Sequence, residues 1–293
     1  MTKATEKTSE KTPEKAPEAT PCSARSLPSA LARQTEIDER LGDKKLAVFL
    51  DYDGTLTHIA ERPAMATLSQ GMRAIIAALA TRCTVAVISG RDRADVEKLV
   101  GLDNLIYAGN HGFDIAVPRH ISRNNVAVRR EEGLEFAEKL ALVASDLERE
   151  LAGFTGVLME TKKASIAVHY RQAAPDEHKA VAATVVRTLE PHAELQLTNG
   201  KMVCEIQPRV DWDKGRAVLF LLEALDLDGT HVMPVYVGDD VTDEDAFRAL
   251  KGRGIGIFVG HDGDSGFGQK TTSADYIIRD PGEVRLLLDR LGR

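Results

Sequence analysis

The sequence predicts a doubly wound α/β domain, Rossmann-like and mainly parallel, interrupted by an inserted α+β module. Three observations carry this expectation. Short all-apolar runs alternate with helical patterns toward both ends of the chain, as buried parallel strands do. The middle third switches to strands of alternating polarity, the mark of a sheet with one open face. Carboxylates gather directly after the apolar runs, where open α/β sheets bind their ligands.

The elements follow in order. Residues 1–40 open with MTKATEKTSEKTPEKAPEATP, rich in Lys, Glu, Thr and Pro and poor in apolar side chains. Such a stretch buries too little surface to offset its ordering entropy, so 1–40 is expected to be a disordered tail. It has no apolar segment of the secretory kind, and no run in the chain approaches a membrane span. A cytoplasmic protein without a membrane partner is expected. The core domain is expected over 41–116 and 209–293. Its strands fall at 46–50 (LAVFL), 84–88 (TVAVI), 105–108, 233–237 and 254–258, with helical spacing at 68–81 and 91–100 between them. The insert is expected over 117–208, with helices at 131–151 and 176–189 and strands at 157–162, 164–171, 194–197 and 202–206. In the second of these strands Ile166, Val168 and Tyr170 share one face, and Ala167, His169 and Arg171 the other.

With 43% hydrophobic and 28% charged residues in 293, the chain can bury a substantial core. Its formal net charge of -7 does not invite nucleic acid or an anionic surface, so any phosphate site must be built from local cations and backbone donors. The cysteines, Cys22, Cys83 and Cys204, are scattered and odd in number, which argues for free thiols in a reducing compartment.

Asp51-Tyr52-Asp53-Gly54-Thr55 directly follows the first apolar strand. Two carboxylates at i and i+2 there suit nucleophilic phosphoryl transfer. Asp51 can attack phosphorus, while Asp53 can protonate the leaving oxygen and then deprotonate water. Carboxylates this close repel one another, and a divalent cation relieves that. Mg²⁺ is the natural choice for carboxylates, a phosphate oxygen and waters. Asp51, Asp53 and Asp239 are the expected ligands, with Asp239 coming from Gly238-Asp239-Asp240 after the strand at 233–237. Asp243, in the first turn of the following helix, could orient a water on the metal. Ser89, after the second strand, and Lys214, opening a helix on the return from the insert, suit a phosphate. Read alone, Ser89 is equally a helix cap, and a Lys such as Lys214 is usually a solvated surface residue.

These pieces (DxDGT, a Ser after strand two, a Lys, then GDDxxD) occur in one order and resemble the motifs of haloacid dehalogenase-like phosphatases over residues 44–293. Within that class the chain resembles the trehalose-6-phosphate phosphatase family. The matching segments are LDYDGTLT at 50–57, Ser89-Gly90-Arg91, Tyr107-Ala108-Gly109-Asn110-His111-Gly112, Glu160-Thr161-Lys162, His169-Tyr170-Arg171, Gly200-Lys201-Met202-Val203-Cys204-Glu205-Ile206, Asp213-Lys214-Gly215 and the last carboxylate motif. The resemblance implies trehalose 6-phosphate, a small sugar phosphate, as substrate and functional coupling to a trehalose-phosphate synthase. It implies that Glu160, Lys162, Arg171, Lys201 and Glu205 hold the sugar that does not react, with Arg91 also on the substrate. Asn110 and His111 can contact substrate or serve as turn residues that set the path into the insert. The chain departs from the family at Gln207-Pro208-Arg209, where an Arg is expected before the Pro. Competing readings are a phosphatase of sucrose phosphate or mannosyl phosphoglycerate, and a silent sugar-phosphate sensor.

Overall fold

The structure, a computed structural model, describes residues 21–293 except 61, 123, 201, 261, 262, 264–266, 268 and 269. The chain enters through β1 (Cys22–Ser23) and α1 (Gln34–Leu41). It then alternates through β2 (Lys45–Leu50), α2 (Gln70–Leu79), β3 (Thr84–Ile88), α3 (Arg93–Val100) and β4 (Ile106–Gly109). Two antiparallel strands, β5 (Asp114–Val117) and β6 (Val128–Glu131), lead to the insert. The insert holds α4 (Ala137–Leu151), β7 (Leu158–Thr161), β8 (Ile166–His169), α5 (His178–Leu189), β9 (Leu195–Gly200) and β10 (Val203–Pro208). The chain returns through α6 (Lys214–Ala224), β11 (Val232–Gly238), α7 (Asp243–Leu250), β12 (Ile255–Val259), β13 (Thr271–Thr272), β14 (Tyr276–Ile278) and α8 (Pro281–Leu291).

The main sheet has the order β14-β12-β11-β2-β3-β4-β5-β6 and is parallel from β14 to β4. From β2 the chain winds outward through β3 and β4, and after the insert it winds the other way from β11. The strand order therefore reverses between β2 and β11, and that switch point opens a crevice at the strand ends. Alternate residues of each central strand feed opposite layers. Val48 and Leu50 pack under α2, α3 and α8, while Ala47 and Phe49 pack under α6 and α7. Burial on both faces explains why these strands read as continuous apolar runs.

The insert has its own antiparallel sheet, β7-β8-β10-β9, and its own core. Ile166, Val168, Cys204 and Ile206 pack against Val143 and Leu147 of α4 and Val181 and Val185 of α5. The opposite face, with Glu160, His169, Glu205 and Gln207, is turned to the main domain.

Two expectations change. Residues 21–40 are not a disordered tail. Ala24, Ala30 and Ile37 are fully buried, Ser29 bridges Ile277, and the Tyr276 hydroxyl donates to Glu36 at 2.7 Å. A few small or branched apolar anchors suffice here because the segment packs on a finished sheet. The rest of the expected tail, 1–20, lies outside the described residues. The main sheet also continues beyond 117, because β6 pairs with β5 and the insert's own elements start after 131. Among the described residues no helix is long and apolar enough to cross a membrane.

Candidate active site

The strand ends bring the expected carboxylates together. Asp51 leaves β2 with its N–H on the Val237 carbonyl at 2.9 Å, which sets it beside the end of β11. Asp239 follows β11, and Gly54 makes room for it. A Cβ at Gly54 would lie 2.2 Å from Asp239 Oδ2, and φ at Gly54 is +86°. Gly238 does the same for Asp243, whose Cγ would lie 2.3 Å from an added Cβ. Only glycine permits this density of carboxylates at the strand tips. Oxygens of Asp51, Asp239 and Asp243 lie within 4.8 Å of one another, all buried.

Asp243 is saturated with donors. Its Oδ1 accepts from Lys214 Nζ at 2.6 Å and from the Tyr236 hydroxyl at 2.7 Å, and its Oδ2 accepts from the N–H groups of Asp239 and Asp240 at 2.9 Å. It therefore fixes the loop that presents Asp239. Lys214 also donates to Asp51 Oδ1 at 2.8 Å. Asp213 caps α6 by accepting from the Arg216 N–H at 2.8 Å, and this aims Lys214 inward from the first turn. Burial works hardest against the Lys214 charge, but Asp243 and Asp51 outweigh it and hold the ammonium well above its usual range. Burial, followed by Asp243 and Asp239, pushes Asp51 well above the usual carboxylate range against the pull of Lys214. A divalent cation among these oxygens would reverse that balance, and an all-oxygen donor set suits a hard cation.

Asp53, expected among the metal ligands, is not in that group. Its carboxylate is gripped by Arg91, with Nε at 2.6 Å and Nη2 at 2.7 Å. Arg91, expected on substrate, lines the cleft and holds Asp53; it also pairs with Asp95 and lies 5.3 Å from the Tyr52 ring centroid. Ser89 is buried beside the cluster, and its Oγ accepts from the Arg91 N–H at 3.2 Å.

Above the strand ends lies a cleft with a cavity volume of about 200 Å³, walled by the core on one side and the insert on the other. Asp51, Asp53, Ser89, Arg91, Lys214 and Asp239 line its floor; Glu160, Lys162, Arg171 and Glu205 line its roof. Lys162 Nζ donates to the Gly90 carbonyl at 2.7 Å and to Glu205 Oε1 at 2.9 Å. Glu205 also accepts from the Ser165 hydroxyl at 2.9 Å and meets His111 Nε2 at 3.0 Å. Burial opposes the Glu205 charge, but Lys162 and His111 overcome it and hold this carboxyl well below its usual range. Glu160 meets His169 Nε2 at 3.4 Å and is pushed down chiefly by that contact. Of the pair left open, His111 lines the cleft, whereas Asn110 is a turn residue with φ +51° that donates to Asp92 Oδ1 at 2.8 Å. Lys201 lies outside the described residues.

Some wall residues escaped the sequence reading. Arg62, Ile59 and Ala66 come from the loop after Asp53, and Thr242 from the turn before α7. The loop carries no pattern that would single them out. Tyr236 did leave a trace: it is the lone hydroxyl in an otherwise apolar strand, and its oxygen sits on Asp243.

Carboxylates and a lysine gather at the carboxyl ends of a doubly wound sheet, under an α+β insert, in the fold of the haloacid dehalogenase-like hydrolases. A solved hydrolase of that class from Bacteroides thetaiotaomicron shares the fold, with a TM-score of 0.58 at 14% identity, covering 85% of this chain and 99% of that one. The chain belongs to the trehalose-phosphatase family, whose model matches residues 49–281. It is similar to the trehalose-phosphate phosphatase of Mycobacterium tuberculosis, with 41% identity over 268 residues. That alignment covers 91% of this chain, which spans 66% of the relative's length. The C-terminal domain of a Candida albicans trehalose-6-phosphate phosphatase has the same fold, with a TM-score of 0.72 at 24% identity over 91% of this chain and 98% of that one.

Proposed function

We propose that this chain is a phosphoric monoester hydrolase that converts trehalose 6-phosphate to trehalose and phosphate. The observation that carries the proposal is the convergence of Asp51, Lys214 and Asp239 under a roof of hydroxyl-binding side chains. Asp51 attacks phosphorus, and the bond from phosphorus to the sugar oxygen breaks. Asp53, steadied by Arg91, gives its proton to that oxygen. Asp53 then takes a proton from water, whose oxygen attacks the aspartyl phosphate, so that phosphate leaves and Asp51 is restored. Lys214 and Ser89 hold the phosphoryl oxygens. Asp51 and Asp239, backed by Asp243, would hold a Mg²⁺, whose charge when bound offsets the repulsion between Asp51 and the substrate phosphate.

The sugar falls to the insert. Glu160 and Arg171 reach its hydroxyls; Lys201, outside the described residues, is assigned to the same sugar by the sequence resemblance alone. Lys162 and Glu205 are already committed to Gly90 and His111, so their first task is to seat the insert on the core. The cavity is below the roughly 300–1,000 Å³ typical of ligand sites, so the insert must lift to admit a disaccharide. We read the enzyme as cytoplasmic and supplied with substrate by a synthase. The test is phosphate release from trehalose 6-phosphate, with and without Mg²⁺, beside sucrose 6-phosphate and glucose 6-phosphate. Mg²⁺-dependent release from the trehalose ester alone is expected. Release from another ester would keep Asp51 and Asp53 and overturn the assignment of the sugar residues.

A further inference from the structure

The insert's polar face extends past the catalytic cleft. In β10, Val203, Glu205 and Gln207 point the same way, opposite the buried Cys204 and Ile206, and pairing sets Thr198 beside Glu205 and Gln196 beside Gln207. The His111–Glu205–Lys162 network divides this face. In front of it lies the catalytic cleft. Behind it lies a second cleft, with a cavity volume of about 370 Å³, into which Gln196, Thr198 and Gln207 project. That volume falls in the usual range for small-ligand sites, roughly 300–1,000 Å³. The two clefts share His111, Lys214 and Thr242 as walls, so an occupant of the rear cleft would touch the residue that serves the phosphate.

Gln207 marks this cleft as more than a crevice. It is only 7% exposed, yet its side-chain amide has no hydrogen-bond partner among the described residues. The amide is not among the sealed, unsatisfied polar atoms of the described residues; it opens on the rear cleft, where the hydroxyl groups of a ligand can pair with it. Gln196 and Thr198 likewise offer unpaired groups beside it. The charges on the walls are engaged. Arg248 pairs with Asp245, Lys214 with Asp51 and Asp243, Glu244 accepts from the Ser273 N–H, and Asp213 caps α6. With the carboxylates in excess and both fixed cations taken, the cleft disfavours an anion. Amide, hydroxyl and carboxylate edges together suit a polyol.

We propose that the rear cleft binds a neutral polyol, a dephosphorylated sugar rather than its phosphate ester. The ligand class comes from the cleft's own chemistry; only the choice of trehalose as probe rests on the proposed reaction. The protein holds a single tryptophan, Trp212, and it lines this cleft, so its fluorescence reports occupancy directly. Full-length protein with Mg²⁺ is titrated with trehalose, and the variants Gln207→Leu and Thr198→Val are compared. The wild type should show a saturable change and a non-competitive component in trehalose inhibition. Each variant should weaken that response fivefold or more while the KM for trehalose 6-phosphate stays within twofold. Glu160→Gln, in the front cleft, should raise that KM and leave the titration unchanged. A titration that is flat, or insensitive to both variants, overturns the proposal, and so does purely competitive inhibition. Failure of the catalytic reading would show separately, as absent phosphate release.

Discussion

The floor and the roof of the catalytic cleft are built in opposite ways. On the floor, the carboxylates and Lys214 are buried, interlocked, and spaced by glycines whose missing Cβ atoms the carboxylates fill. On the roof, Glu160 stands on β7 and Arg171 in the turn after β8 of a separate small sheet with its own core, and the Lys162–Glu205–His111 network ties that sheet to the floor. The floor is preorganised, as charge stabilisation of phosphoryl transfer requires. The roof has its own core, and the printed side-chain partner of Glu160, His169, belongs to the roof rather than the floor.

That contrast can be broken at graded cost. Asp53→Asn should lower kcat by about 10²–10⁴-fold, the usual contribution of a general acid–base group, and leave the KM nearly unchanged. Steady-state kinetics on trehalose 6-phosphate would show it. Lys162→Met should act on the joint instead. It leaves the Glu205 charge buried with less compensation, at about 3–5 kcal/mol, visible as a lowered Tm and a raised KM. Arg171→Ala should cost only one charge-assisted contact, about 1.5–3 kcal/mol, so KM should rise roughly ten- to a hundredfold at near-normal kcat. A kcat loss as large as that of Asp53→Asn would show that roof and floor are not separable.

The smallest effect concerns pH. The Glu205 carboxyl sits below its ordinary value of 4.5 in the fold, so its contribution to stability is present above that pH and is lost as pH falls through the lower folded value. Thermal melts from pH 6 downward should show an acid-side decline that Glu205→Gln flattens.

The same contrast explains what the sequence disclosed. The strand tips were legible because each of these side chains follows an apolar run of parallel-strand length, which places Asp51, Ser89 and Asp239 on one edge of the sheet. Lys214 was legible only through motif order, since a lysine at a helix start is common. Side-chain pairing was not legible: nothing in Ser89-Gly90-Arg91 says that the guanidinium pairs with Asp53 and Asp95. Nor did composition reveal that 21–40 is anchored, because three small or branched side chains do that work on a surface formed by residues more than 200 positions away. Gln207 registered as a departure from the family's pattern, and its meaning emerged only when the second cleft placed it opposite Gln196.

Asp51 is the centre of the proposed chemistry. The most direct measurement is acid quenching of enzyme turning over trehalose 6-phosphate with Mg²⁺, followed by peptide mass spectrometry for a phosphoryl group, with Asp51→Asn alongside. A phosphoryl group is expected on Asp51 in the wild type, and none, with no turnover, in a variant that keeps the wild-type fold by circular dichroism. Sustained hydrolysis by Asp51→Asn, or a phosphoryl group on any other residue, would contradict that chemistry.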